Sequence, residues 1–199
     1  MHTLVLYAHP EGSSLTASTA WNIAEGLIAR GESAEVADIA SEGFDPRITE
    51  ADLAVVRGLG DAPSDVLREQ ERVERADALV IVHPVYWWSM PSLLKGWFDR
   101  VLTFGWAFGS ENATALADRD IHLVRLGGSS PETYETHGYR QAIRTGVEHG
   151  VFEFAGSPVA SSHLVHSAPE GVVTRAAEAV EAVVDSVTSA AGVRASVPA

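Results

Sequence analysis

Apolar residues recur along this chain in two alternating rhythms. Short unbroken runs read as strands buried on both faces: Leu4–Ala8, Ala78–Val82 and Ile121–Leu126. Glu35–Ile39 is more polar and suits a sheet edge, and Pro158–Leu164 makes a fifth strand. Between the runs, apolar positions fall three or four apart and predict helices. The first spans about Leu15 to Arg30, with Ala20, Ile23, Ala24, Leu27 and Ile28 on one side and Gly31 as its stop. Others cover Asp65–Arg75, Ser92–Leu102, Tyr139–His149 and Gly171–Ser189. Ser92–Leu102 is entered through Pro91, where a missing N–H costs nothing. Ala40 to Pro63 reads as loop with one helical piece, Glu50–Arg57, and Phe104 to Asn112 as an aromatic, glycine-rich loop. Such alternation predicts an α/β fold, a five-stranded parallel sheet of order 2-1-3-4-5 with helices on both faces. One domain over residues 1–191 is expected, followed by a frayed tail, 192–199.

Composition narrows the chemistry. The 199 residues are 46% hydrophobic, enough for a full core. The absence of cysteine excludes disulfides, thiolate catalysis and cysteine-held metals. A net charge of −13 repels nucleic acid and anionic membranes, so neither is an expected partner. The start, Met1-His2-Thr3-Leu4, has no basic leader, and no apolar run approaches the roughly 18 residues of a membrane helix. A cytoplasmic protein without membrane insertion is expected. His149, His163 and His166 show no metal-ligand spacing, so no metal site is assigned.

Three segments follow strands where an open sheet binds ligands. His9-Pro10-Glu11-Gly12-Ser13-Ser14-Leu15-Thr16 joins the first strand to the first helix. Its serines cap that helix, whether or not its free N–H groups also hold a phosphate. Neither G-x-G-x-x-G nor a Walker lysine is present, which argues against dinucleotide and P-loop folds. Pro84-Val85-Tyr86-Trp87-Trp88 follows the third strand. Two adjacent tryptophans on a loop do not both point inward, so their backbone and rings are available to a planar heteroaromatic group. Gly127-Gly128-Ser129-Ser130 follows the fourth strand; it is a simple loop or a close backbone approach to a ligand.

Together these segments resemble the NAD(P)H:quinone oxidoreductase family of flavodoxin-like flavoproteins. The resemblance runs from Leu4 to about Leu164. It rests on Ala8-His9-Pro10 with Ser13-Ser14, on Glu69-Gln70 ahead of the Ala76–Val80 stretch, on the block Pro84–Arg100, and on Gly127-Gly128 followed by Tyr134 and His137. Gly105-Trp106-Ala107-Phe108-Gly109 also resembles the flavoprotein ancillary subunits of bacterial potassium efflux systems.

The resemblance implies a flavodoxin-like three-layer sandwich binding FMN, with FAD as the alternative. His9, Ser13, Ser14, Leu15 and Thr16 would hold the phosphate. Pro84, Val85, Tyr86, Trp87 and Trp88 would line the flavin ring, and Leu126, Gly127 and Gly128 its pyrimidine side. Tyr134 and His137 would be catalytic, and Phe108 would reach across a homodimer interface into the partner's substrate site. The implied reaction is ping-pong hydride transfer from NADPH or NADH to a quinone or similar planar acceptor. The alternatives are a flavin- and nucleotide-binding regulatory subunit of a transporter and a flavodoxin-type electron carrier. Arg125-Leu126 departs from the small hydroxyl pair usual before the glycines, and Tyr134 and His137 stand closer together than in the animal enzymes.

Overall fold

Seven consecutive residues, Ala78–Pro84, are all buried and form the central strand of a five-stranded parallel sheet. The structure, a computed structural model, describes residues 1–109, 115–117, 119–157, 159–168 and 170–196. Pro158, residues 110–112 of the aromatic loop and residues 197–199 of the expected tail lie outside the described residues.

The strands are β1 (His2–Tyr7), β2 (Ser33–Asp38), β3 (Ala78–Pro84), β4 (Asp120–Gly127) and β5 (Val159–His166), in the order β2-β1-β3-β4-β5. The helices are α1 (Leu15–Ala29), α2 (Glu50–Val56), α3 (Ser64–Arg75), α4 (Ser92–Val101), α5 (Pro131–Thr136), α6 (Tyr139–Ile143) and α7 (Val172–Ser196). The fold and strand order agree with those read from the hydrophobic pattern.

Because successive strand side chains point to opposite faces, each strand feeds two cores. Val5, Val80, Val82 and Val124 pack with Ile23 and Leu27 of α1 and Val183 and Val187 of α7. Leu4, Leu6, Leu79, Ile81, Ile121 and Leu123 pack on the other face with Val73 of α3, Leu94, Trp97 and Phe98 of α4, and Phe152. The polar β2 is an edge strand, as its composition implied.

Helix α4 is fastened by three features of its sequence. A Cβ on Gly96 would lie 2.3 Å from the Pro46 carbonyl oxygen, so only glycine lets the 40–63 segment cross there. The Trp97 indole N–H donates to Glu69 at 3.0 Å. Arg100, 3% exposed, donates to both Asp52 oxygens at 3.1 Å, to Asp65 at 2.6 Å and to the Asp45 carbonyl at 2.7 Å. Asp52 is itself half of a capping box with Thr49 at the start of α2. One buried cation thus ties an otherwise irregular segment to the core.

Three expectations need correction. The stretch after Gly128 is not only polar loop: Ser130 caps the short helix α5, accepting from the Thr133 N–H at 3.3 Å. The predicted helix Tyr139–His149 is α6 followed by a π-helical segment, Arg144–Glu153. Those wider turns carry Glu148 to Arg125 of β4 at 2.8 Å, a partner three-dimensional contact alone supplies. The C-terminal helix continues to Ser196, beyond the predicted end at Ser189.

Candidate active site

The carboxyl ends of β1, β3 and β4 meet at the point where strand order reverses. After β1, the Ser14 hydroxyl accepts from the Ala17 N–H at 3.2 Å and caps α1, whose other first-turn N–H groups face the same end. His9 Nδ1 accepts from the Glu11 backbone N–H at 3.0 Å. The same nitrogen lies 3.2 Å from the Glu11 carbonyl oxygen, so the ring is held against the Glu11 backbone. Ser13 is exposed beside it.

After β3 the chain makes a tight turn in which Tyr86 and Ser89 exchange backbone hydrogen bonds at 2.9 and 3.0 Å. The two central residues are Trp87 at φ 48° and Trp88 at φ 62°. A left-handed backbone is what such a turn demands, and bulky residues there cost about 1–2 kcal/mol each. Strain of this kind collects at functional sites. The two indoles part company: Trp87 is 93% exposed, while Trp88 is half-buried. Neighbouring Val85 donates its N–H to the Leu126 carbonyl at 2.8 Å, joining this turn to the end of β4.

After β4, a Cβ on Gly127 would meet the Tyr134 hydroxyl at 2.5 Å, so glycine is what admits the phenol. Tyr134 is 1% exposed, and its ring meets Trp88 edge-on at 5.2 Å and His166 at 4.9 Å. Burial raises the Tyr134 pKa, against a smaller opposing effect of Arg125, so the hydroxyl stays protonated and able to donate. Arg125 is buried, paired with Glu148 and Ser162, and its Nε and Nη1 have no hydrogen-bond partner among the described residues.

A cavity of about 170 Å³ collects seven of the residues singled out in the sequence: His9, Ser14, Leu15, Thr16, Leu126, Gly127 and Gly128. Ser167 and Val172 complete its wall. Both follow β5, Ser167 directly and Val172 as the first residue of α7, and that place after a strand was their only sequence signal. Pro84, Val85, Tyr86, Trp87, Trp88 and Tyr134 do not line this cavity; they lie along the adjoining ends of β3 and β4. His137 is exposed at the end of α5. Tyr139, which sequence reasoning did not single out, stacks on Trp88 with ring centres 3.7 Å apart and planes 10° from parallel. Phe108 lies elsewhere, against Phe104 and Phe154.

Comparisons with known proteins give the family of this fold. A family model described as a flavodoxin-like fold matches residues 1–188. The chain belongs to this flavodoxin-like family. It is 31% identical over 178 residues to the ribosyldihydronicotinamide dehydrogenase [quinone] of Rattus norvegicus, spanning 78% of this chain and 77% of that protein. Among solved structures, an NAD(P)H:quinone oxidoreductase from Methanothermobacter marburgensis superposes with a TM-score of 0.81 and 27% identity, over 92% of this chain and 94% of the other. General stress protein 14 from Treponema denticola, solved in complex with FMN, gives a TM-score of 0.68 and 25% identity, covering 93% of this chain and 98% of that one. Two of these three proteins carry quinone-reductase names. The third was solved with FMN.

Proposed function

We propose that this protein is a flavin-dependent NAD(P)H oxidoreductase that reduces quinones or similar planar acceptors, with FMN as its flavin and NADH or NADPH as hydride donor. The observation that carries this reading is the juxtaposition of an anion-ready cavity with a strained aromatic turn at the strand-order switch point. The residues present fit such a group. The cavity of about 170 Å³ suits a phosphate with its polyol rather than a whole nucleotide, leaving the Pro84–Trp88 rim for the ring. His9, the Ser13 and Ser14 hydroxyls and the N–H groups of α1 would hold the phosphate, flanked by Leu15 and Thr16. Backbone groups of Pro84 through Trp88 orient the ring edge, and Leu126, Gly127 and Gly128 face its polar side.

Bound flavin supplies hydride acceptance and donation, with donor and acceptor using the site in turn. The chain positions, shields and donates. The protonated Tyr134 phenol is placed to donate to developing negative charge, as preorganised donors do in acyl-transfer sites. His137, at the exposed rim, is assigned to the substrate side.

A homodimer belongs to the same proposal. Phe104, Phe154, Leu53 and Val56 are exposed apolar residues around Phe108, between cavities of about 370 and 210 Å³ that both include it. A second copy would cover this face, and Phe108 would then wall the partner's acceptor site. No helix among the described residues is long and apolar enough to cross a membrane; a cytoplasmic location matches the supply of reduced nicotinamide.

Two variants test the reading. The double substitution Ser13→Asp with Ser14→Asp sets negative charge against the phosphate and should yield colourless protein; a fully yellow double variant with unchanged FMN affinity overturns the phosphate assignment. Phe108→Ala should keep its flavin but change menadione turnover and weaken the dimer in sedimentation. A wild-type monomer at micromolar concentration with full quinone reductase activity sinks the shared site.

A further inference from the structure

We infer that Tyr139 is a specificity-determining residue, an aromatic cover on Trp88 that an electron-poor planar acceptor displaces when it binds. The inference rests on the acceptor site proposed above and names how that site selects its substrate.

The turn Tyr86–Ser89 holds Trp88 in a left-handed backbone, pinned by a hydrogen bond at each end, so the indole is presented at a fixed angle. Tyr134 closes its edge at 5.2 Å and 81°. One face carries Tyr139, centred 3.7 Å away and only 10° from parallel. Centres that close leave little room for lateral offset, so the pair is near the face-to-face sandwich that aromatic pairs favour least. Both rings are electron-rich, and their like-signed faces oppose each other. A quinone ring is electron-poor, and placing it on the same indole replaces a poorly matched stack with a well matched one. A donor-rich ring gains nothing by the same exchange. The pair is thus a filter for the class of acceptor.

Local structure lets Tyr139 leave. It is the first residue of the five-residue helix α6, directly after Gly138 at φ 69°. Its hydroxyl makes no hydrogen bond among the described residues, and His137 meets its ring at 5.4 Å and 31°, a loose tilted contact. Tyr134, by contrast, is locked against Gly127. Tyr139 also meets Tyr134 edge-on at 6.3 Å and packs part-buried against the core, so ring contacts alone hold it, while Tyr134 is fully buried.

The test uses flavin-loaded protein and the variants Tyr139→Ala, Tyr139→Leu and Tyr139→Phe, with menadione as probe. Removing the competing ring should lower the menadione KM about threefold to tenfold in the Ala and Leu variants, with kcat within about twofold. Tyr139→Phe, which keeps the stack, should behave as wild type. A rise in KM in the Ala and Leu variants would mean that the acceptor packs on Tyr139 itself, and would overturn the inference. Unchanged KM in both would reduce Tyr139 to packing and overturn it equally. A second readout needs no turnover: menadione added to oxidised holoprotein, without NAD(P)H, should alter the near-ultraviolet circular dichroism of the Trp88–Tyr139 pair in wild type and not in Tyr139→Leu. Failure of that difference overturns the exchange alone. Absence of any NAD(P)H oxidation by wild type overturns the proposed function, and the dichroism still reads the cover.

Discussion

Two halves of one sequence block, Pro84–Met90 and Pro91–Arg100, behave in opposite ways. The second half is satisfied throughout. Gly96 allows a close crossing, Trp97 donates to Glu69, and Arg100 has Asp52, Asp65 and a carbonyl around it. The first half spends stability. Two tryptophans sit in a left-handed backbone that suits Asn-Gly, one indole is almost wholly in water, and the other stacks in an unfavourable geometry. The difference teaches which residues of a recognisable motif are scaffold and which are site. The scaffold half is where polar groups find partners; the site half is where strain and exposed aromatic surface are left over for a ligand.

The largest effect should come from the scaffold half. Arg100→Met leaves Asp52 buried without its cation and should cost about 3–5 kcal/mol in urea unfolding. Flavin binding at the temperatures where the variant stays folded should be little changed. A loss below 1 kcal/mol would mean the ion pairs are not what holds the 40–63 segment.

Next is pH. Burial depresses His83, just before the block, to about 4, and His122 of β4 likewise to about 4. Both are neutral in the folded chain, while the unfolded chain takes up protons near 6.5. Their contribution is complete above about pH 6.5 and is lost as pH falls toward 4, at up to about 1.4 kcal/mol per pH unit for each histidine. Urea midpoints at pH 7, 5.5 and 4.5 should fall in step, and His83→Phe should flatten the trend. An equally steep trend in that variant would remove His83 from the account.

The smallest effect on folding, and the sharpest contrast, is expected at the rim. Trp87→Gly relieves a left-handed backbone while adding glycine's unfolded-state freedom, so stability should hold or rise by less than about 1 kcal/mol. FMN affinity should drop by about 1–3 kcal/mol, by analogy with aromatic stacking on nucleobases. Flavin titration of apoprotein beside urea unfolding measures both; a variant that loses stability and keeps its affinity would move Trp87 into the scaffold.

Much of this was legible beforehand. Unbroken apolar runs gave the strands, and the alternation with helices gave their order, because a buried parallel strand has no polar face to offer. The residues after β1 and β4 were legible for the same reason: ligand sites lie at strand ends, and seven of them converge on one cavity. Ser167, Val172 and Tyr139 were not, since a loop serine and the first residues of two helices belong to no binding motif. Their roles come from neighbours remote in sequence.

The sequence by itself pointed to the α/β class, the 2-1-3-4-5 order and the strand ends that bear the candidate site, because hydrophobic period and turn chemistry are local properties. Only the tertiary structure decided that Trp87 faces water while Trp88 meets Tyr139, and that Arg100 gathers Asp52 and Asp65. It alone carried Glu148 on a π-helical turn to Arg125. Those are pairings across 23 to 51 positions of chain, and a pairing exists only once both partners have been packed against the same sheet.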